Sequence, residues 1–168
     1  MEKTLRIIEE MARLGVFKAY AIGGGIAATY YIEPVLTYHL DIFFIPPREG
    51  LDELAPIYEF ARGRGYVEQA EALIIEGFPV QFIPAYNELV REAVADAATL
   101  EYRDVEAKVV KAEYLLAIAL QTGRAKDMER VARLLEGGVV DREVLARILE
   151  KHGLVERLKK IEGGTDEK

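Results

Sequence analysis

Residues 38–45 constrain this chain more than any other segment. Side chains alternate across a β-strand, so Tyr38, Leu40, Ile42 and Phe44 share one face and His39, Asp41, Phe43 and Ile45 the other. Both faces are mostly apolar. A strand of that kind has to be covered on both sides, which places it centrally in a sheet. Pro46 and Pro47 stop it. One acid, Asp41, interrupts the apolar run, and an acid there is rarely buried without a partner.

The flanking segments supply further strands and their covering helices. Residues 17–22 read as a short apolar strand running into Gly23, Gly24 and Gly25, followed by a helix over 26–32 that Pro34 closes. Residues 72–75 and 78–83 predict a hairpin turning at Glu76 and Gly77, and residues 99–110 hold one or two short strands. Apolar residues at helical spacing predict helices over 4–14, with Leu5, Ile8, Met11 and Ala12 inward, and over 51–63, with Leu54, Ile57, Tyr58 and Ala61 inward. Tyr86, Leu89, Val90, Ala93 and Val94 outline another. From residue 111 the pattern is helical throughout: a buried helix over 112–121, one over 126–136 with Met128, Val131, Ala132 and Leu135 inward, one capped by Asp141, and one over 154–161. Tyr30, Tyr31 and Tyr38 read as core. The expected class is α/β (α+β): a mixed β-sheet flanked by helices with a C-terminal helical part. Residues 1–109 form the α/β core, 110–162 a helical region packed on it, and 163–168 a disordered tail.

Composition narrows the chemistry. The 168 residues contain no cysteine and no serine, which excludes thiolate and seryl nucleophiles and zinc–thiolate sites within them. The only histidines are His39 and His152. The net charge of −7 argues against non-specific coating of nucleic acid, which needs cations to neutralise phosphates. No apolar run approaches the ~18 residues of a membrane span, and the first ten residues form a charged helix pattern rather than a secretory signal, so a cytoplasmic location is expected. One Asn, three Gln and many Glu, Lys and Arg suit a thermophile.

What remains is carboxylate, cation and backbone chemistry, and it falls in order along the chain. Unpaired N–H groups at a helix N-terminus suit phosphate, and glycines let it approach; a tight strand-to-helix turn without a ligand uses the same residues. Phosphoryl and nucleotidyl transfer uses divalent ions held by several carboxylates. Acids at 39 and 41 would point the same way on one strand, and an acid at 81 on a neighbouring strand would complete the clamp.

The ordered set resembles the nucleotidyltransferase superfamily, in particular the toxin-like nucleotidyltransferases of abortive-infection toxin–antitoxin pairs. The matching residues are Gly23-Gly24-Gly25, His39-Leu40-Asp41, Val80-Gln81-Phe82, the buried helix around Leu115 and Leu120, and Gly123-Arg124-Ala125-Lys126-Asp127. The resemblance covers residues 17–135 and implies a nucleotidyltransferase-like fold. It also implies a nucleoside triphosphate as ligand or substrate, Mg²⁺ or Mn²⁺ as cofactor, and an RNA end or a cognate antitoxin as partner.

The departures bear on activity. His39 stands where the family has its first Asp, Gln81 where it has the third, and Ala119 where toxin-like members often carry a Lys; only Asp41 of the three acids is present. Imidazole and carboxamide replace carboxylates poorly around Mg²⁺. Loss of one preorganised electrostatic element costs about 2.7–4 kcal/mol of barrier. Asp41 is thus the one candidate catalytic and metal residue, with His39 and Gln81 as weaker metal candidates. Gly23, Gly24, Gly25, Arg124 and Lys126 are the candidate phosphate contacts. Each has a plainer role as well: His39 bonded to a neighbour, Asp41 in a structural ion pair, Arg124 capping one helix and Asp127 the next. Three functions stay open: a nucleotide-binding pseudoenzyme, an active transferase acting on RNA, protein or a small acceptor, and a non-enzymatic toxin–antitoxin or oligomeric module.

Overall fold

The computed structural model describes residues 1–33, 36–50 and 52–164. Its strands are β1 (Ala19–Gly23), β2 (Leu40–Ile45), β3 (Val67–Gln69), β4 (Ala72–Ile75), β5 (Phe78–Pro84), β6 (Ala98–Tyr102) and β7 (Val105–Val109). They form one mixed sheet of order β3-β4-β5-β2-β1-β7-β6, so the doubly apolar strand does lie at its centre. β2 runs antiparallel to β1 and parallel to β5, and β7 joins β1 in parallel. Leu40, Ile42 and Phe44 are fully buried. Phe44 and Phe82 meet edge-on beneath Phe17, with ring centroids 6.5 Å apart.

Local chemistry explains the turns. Glu76 and Gly77 join β4 to β5 with φ of +51° and +78°. Two successive left-handed residues twist a two-residue hairpin the way its strands twist. β3 was not evident in the sequence: Val67, Glu68 and Gln69 are all exposed on the sheet edge and carry no apolar alternation.

The helices are α1 (Glu2–Arg13), α2 (Gly24–Ala28), α3 (Ala55–Gly63), α4 (Glu88–Ala95), α5 (Ala112–Thr122), α6 (Ala125–Glu136), α7 (Arg142–Lys151) and α8 (Val155–Gly163). α1 buries Leu5, Ile8 and Met11, and the Thr4 hydroxyl donates to the Ile75 carbonyl at 3.1 Å, tying the helix to β4. α5 is buried from Leu115 to Leu120, as its unbroken apolar run requires. Asp141 caps α7 by accepting from the amides of Glu143 and Val144. α8 returns Arg157 to the end of α5, where it donates to the carbonyls of Leu120 and Gln121 at 3.0 and 2.9 Å.

Several expectations need correction. The helix expected over 26–32 is α2, which starts earlier at Gly24 and passes after Ala28 into tight turns. Pro34 and Leu51 lie outside the described residues, as do residues 165–168 of the expected tail. Tyr38 and Tyr86 are 74% and 56% exposed, so neither belongs to the core. No helix among the described residues is long and apolar enough to cross a membrane.

Candidate functional site

Strand register brings the candidate residues into one row. Gly23 of β1 lies opposite Asp41 of β2, and Asp41 opposite Gln81 of β5. Directly paired residues project to the same face of a sheet. The three positions singled out from sequence therefore sit side by side on adjacent strands.

The glycines are spaces into which neighbours fit. A Cβ on Gly24 would lie 3.0 Å from Asp41 Cγ and closer still to Oδ2, and Gly24 has φ +59°. A Cβ on Gly23 would strike the Phe43 ring, and one on Gly25 would lie 3.0 Å from Thr37 Cβ. Each glycine thus admits a side chain of β2 or of the segment leading to it.

Asp41 is largely buried, with 19% of its side chain exposed. His39 Nε2 stands 3.0 Å from Asp41 Oδ1. The contact is an ion pair, and Oδ1 has no hydrogen-bond partner among the described residues. Burial pushes the Asp41 carboxyl above the ordinary carboxylate range, and the charges of His39, Arg130, Lys126 and Arg124 pull it partway back.

α6 carries Lys126 and Arg130 over β2, with Arg124 just ahead of its first turn. One cleft, of about 240 Å³, is lined by Gly24, Asp41, Tyr86, Arg124, Lys126 and Arg130, among others. A second, of about 230 Å³, adjoins it and is lined by Gly25, Thr37, His39, Asp41, Arg130 and Arg133 together with Lys126. Asp127 lies beneath them at 2% exposure, where its Oδ2 accepts from Arg124 Nε at 2.8 Å and its Oδ1 from Arg130 at 3.4 Å. Arg133 holds Glu129 at 2.9 Å. Lys126 makes no hydrogen bond or close ion pair with a described residue.

The structure therefore brings together Gly24, Gly25, His39, Asp41, Arg124 and Lys126. Gln81 belongs to the same row but lines a separate groove of about 550 Å³ with Tyr38, His39 and Glu71. The capping roles expected of Arg124 and Asp127 are corrected: Arg124 precedes α6 without a side-chain cap, Asp127 pairs with arginines, and Arg157 serves the end of α5. Arg130 and Arg133 were missed. Their signal was the spacing Lys126, Arg130, Arg133, one stripe on a helix. Among the described residues no three His, Cys, Asp or Glu side chains are grouped to hold a metal ion.

No protein-family model and no curated protein matches the chain. Solved structures do. An antigenic nucleotidyltransferase-like protein from Paracoccidioides brasiliensis aligns at TM-score 0.57 and 14% identity, over 93% of this chain and 90% of that one. The antibiotic-resistance factor ANT(2'')-Ia in solution aligns at TM-score 0.52 and 15% identity, over 99% and 98%. ANT(2'')-Ia in complex with adenylyl-2''-tobramycin aligns at TM-score 0.52 and 13% identity, over 92% and 98%. The chain has a nucleotidyltransferase-like fold.

Proposed function

We propose that the chain binds a nucleotide, with the phosphates in the clefts between the Gly24 turn and α6, and that it has lost most or all metal-dependent nucleotidyl transfer. The observation that carries this reading is the row Gly23, Asp41, Gln81 on a nucleotidyltransferase-like fold, with one acid in it. A nucleotide fits the chemistry on offer: guanidinium and ammonium groups above a glycine turn. Two divalent ions do not fit. Mg²⁺ seeks several hard oxygen ligands and gives up water reluctantly. Here it would find the Asp41 carboxylate with an imidazole already against it, the Asp127 and Glu129 carboxylates taken up by arginines, and cations on the opposite wall. No catalytic step through a metal is therefore assigned.

The test is calorimetric titration with ATP, GTP, CTP and UTP, beside incubation with labelled nucleotides in Mg²⁺ and in Mn²⁺. Binding of at least one nucleotide with no Asp41-dependent transfer is expected. No binding of any nucleotide would overturn the reading.

A second reading, transfer of a nucleoside monophosphate to an acceptor, is favoured by the groove beyond His39 and Gln81. It opens on the far side of Asp41 from the Gly24 cleft and has room for an acceptor. Label transfer that disappears in Asp41→Ala would establish it.

A further inference from the structure

We propose, resting on the nucleotide-binding reading above, that the cleft holds a polyphosphate through its own side-chain cations without a divalent ion, and that Asp41 opposes this binding. Among the described residues two buried side-chain polar atoms lack a hydrogen-bond partner: Asp41 Oδ1 and Arg130 Nε. Both residues line both clefts. Buried polar atoms are almost always satisfied, so a pair of exceptions at one place marks a position for solvent, an ion or a ligand.

The two orphans make opposite demands. A cation would satisfy the carboxylate oxygen and repel the guanidinium; an anion would satisfy the guanidinium and repel the carboxylate. The surrounding charges decide. Asp127 is matched by Arg124 and Arg130, and Glu129 by Arg133. Lys126 is exposed and uncommitted. The charges left open are thus Lys126 and the unshared part of Arg130, against an Asp41 carboxylate that already has His39 Nε2 at 3.0 Å. A divalent ion entering between them gains one carboxylate and meets two cations. A phosphate gains an ammonium point charge and a guanidinium fork, and meets one carboxylate. Gly24 lines the first cleft and Gly25 the second.

This arrangement reverses the sign of the expected mutant effect. Where an acid binds phosphate through a bridging metal, neutralising the acid weakens nucleotide binding. Where phosphate meets the cations directly, neutralising the acid removes a like charge and strengthens it.

The test is calorimetric titration of the full chain with inorganic tripolyphosphate and with ATP, each in EDTA and in excess Mg²⁺. Wild type, Asp41→Asn and Lys126→Ala are compared, with a melting curve for each. Both ligands are expected to bind in EDTA, and Mg²⁺ to tighten neither. Asp41→Asn should tighten both by about fivefold and Lys126→Ala weaken both by about fivefold, the scale of one unit charge at a partly solvated site. ATP binding that requires Mg²⁺, or a folded Asp41→Asn chain that loses affinity, overturns the inference and leaves nucleotide binding intact. Tripolyphosphate binding in EDTA with no nucleotide bound keeps the inference and overturns the nucleotide. No binding of either ligand under either condition overturns both.

Discussion

The Asp41 carboxylate rests against the Cα of Gly24, in the volume that a Cβ at that position would take. One contact thus joins the strand-to-helix turn to the single acid of the row, and it fixes both. The carboxylate is held by shape as well as by charge, because its Oδ1 has no donor among the described residues.

Gly24→Ala therefore meets two penalties. The left-handed conformation at φ +59° costs an L-residue about 1–2 kcal/mol, and the new methyl has to displace the Asp41 carboxylate. A loss of about 2 kcal/mol or more, or roughly 4–8 °C in Tm, is expected by thermal melting. Combining Gly24→Ala with Asp41→Ala should cost less than the sum of the single changes, since the second removes what the first collides with. Strict additivity would mean that the two residues do not touch in solution.

Asp41→Asn should stabilise the fold. Burial is the largest influence on this carboxyl and disfavours its charged form, while His39, Arg130, Lys126 and Arg124 compensate in part. An amide of the same shape carries no charge to desolvate. A gain of about 1 kcal/mol, or roughly 2–4 °C in Tm at neutral pH, follows, as is common where a site is kept at the expense of stability. A lower Tm for Asp41→Asn would show that the cations outweigh burial.

Much of this site could be read from the chain, and the remainder depends on packing that local pattern does not encode. Gly24, His39, Asp41 and Gln81 stood out because strand alternation and a glycine turn are local signals, and register then set them in a row. On α6, Val131 was expected inward and is buried, and Met128 and Leu135 pack partly buried against the core, but the burial of Asp127 and Leu134 was not foreseen. An acid in a helical first turn looks solvated in a sequence, and only the docking of Arg124 and Arg130 around Asp127 turns it inward. The same docking brings Lys126 and Arg130 over the cleft. β3 escaped notice because an exposed edge strand needs no hydrophobic pattern.

Asp127 is accordingly expected to matter more than either partner. Asp127→Asn removes the charge between two arginines at a position 2% exposed. Breaking a buried pair from one side costs about 3–5 kcal/mol. The lower end applies here, because Arg124 is 61% exposed and can return to water, whereas Arg130 is only 16% exposed. Urea unfolding should show a loss of about 3 kcal/mol for Asp127→Asn, against about 0–1 kcal/mol for Arg124→Ala, the range of exposed pairs. Equal losses would place the stabilising contact at the surface.

The clasp between α4 and α7 makes stability depend on pH. The Glu92 carboxylate accepts from Lys151 and lies 2.9 Å from His152 Nε2. The Lys151 hydrogen bond is the largest influence and holds the Glu92 carboxyl below its ordinary 4.5, with His152 adding to it against a smaller effect of burial. A carboxyl depressed in the folded state binds fewer protons there than in the unfolded chain. Its contribution is full above the unfolded value and is lost as pH falls through the lower folded one. Melting temperatures taken from about pH 5 down to about pH 3 should fall more steeply for wild type than for Glu92→Gln, which has no proton to gain. Some acid sensitivity should persist in the variant, because Arg64 holds the Glu10 carboxyl low in the same way. Parallel acid limbs in the two proteins would show that Lys151 and His152 do not engage Glu92 in solution.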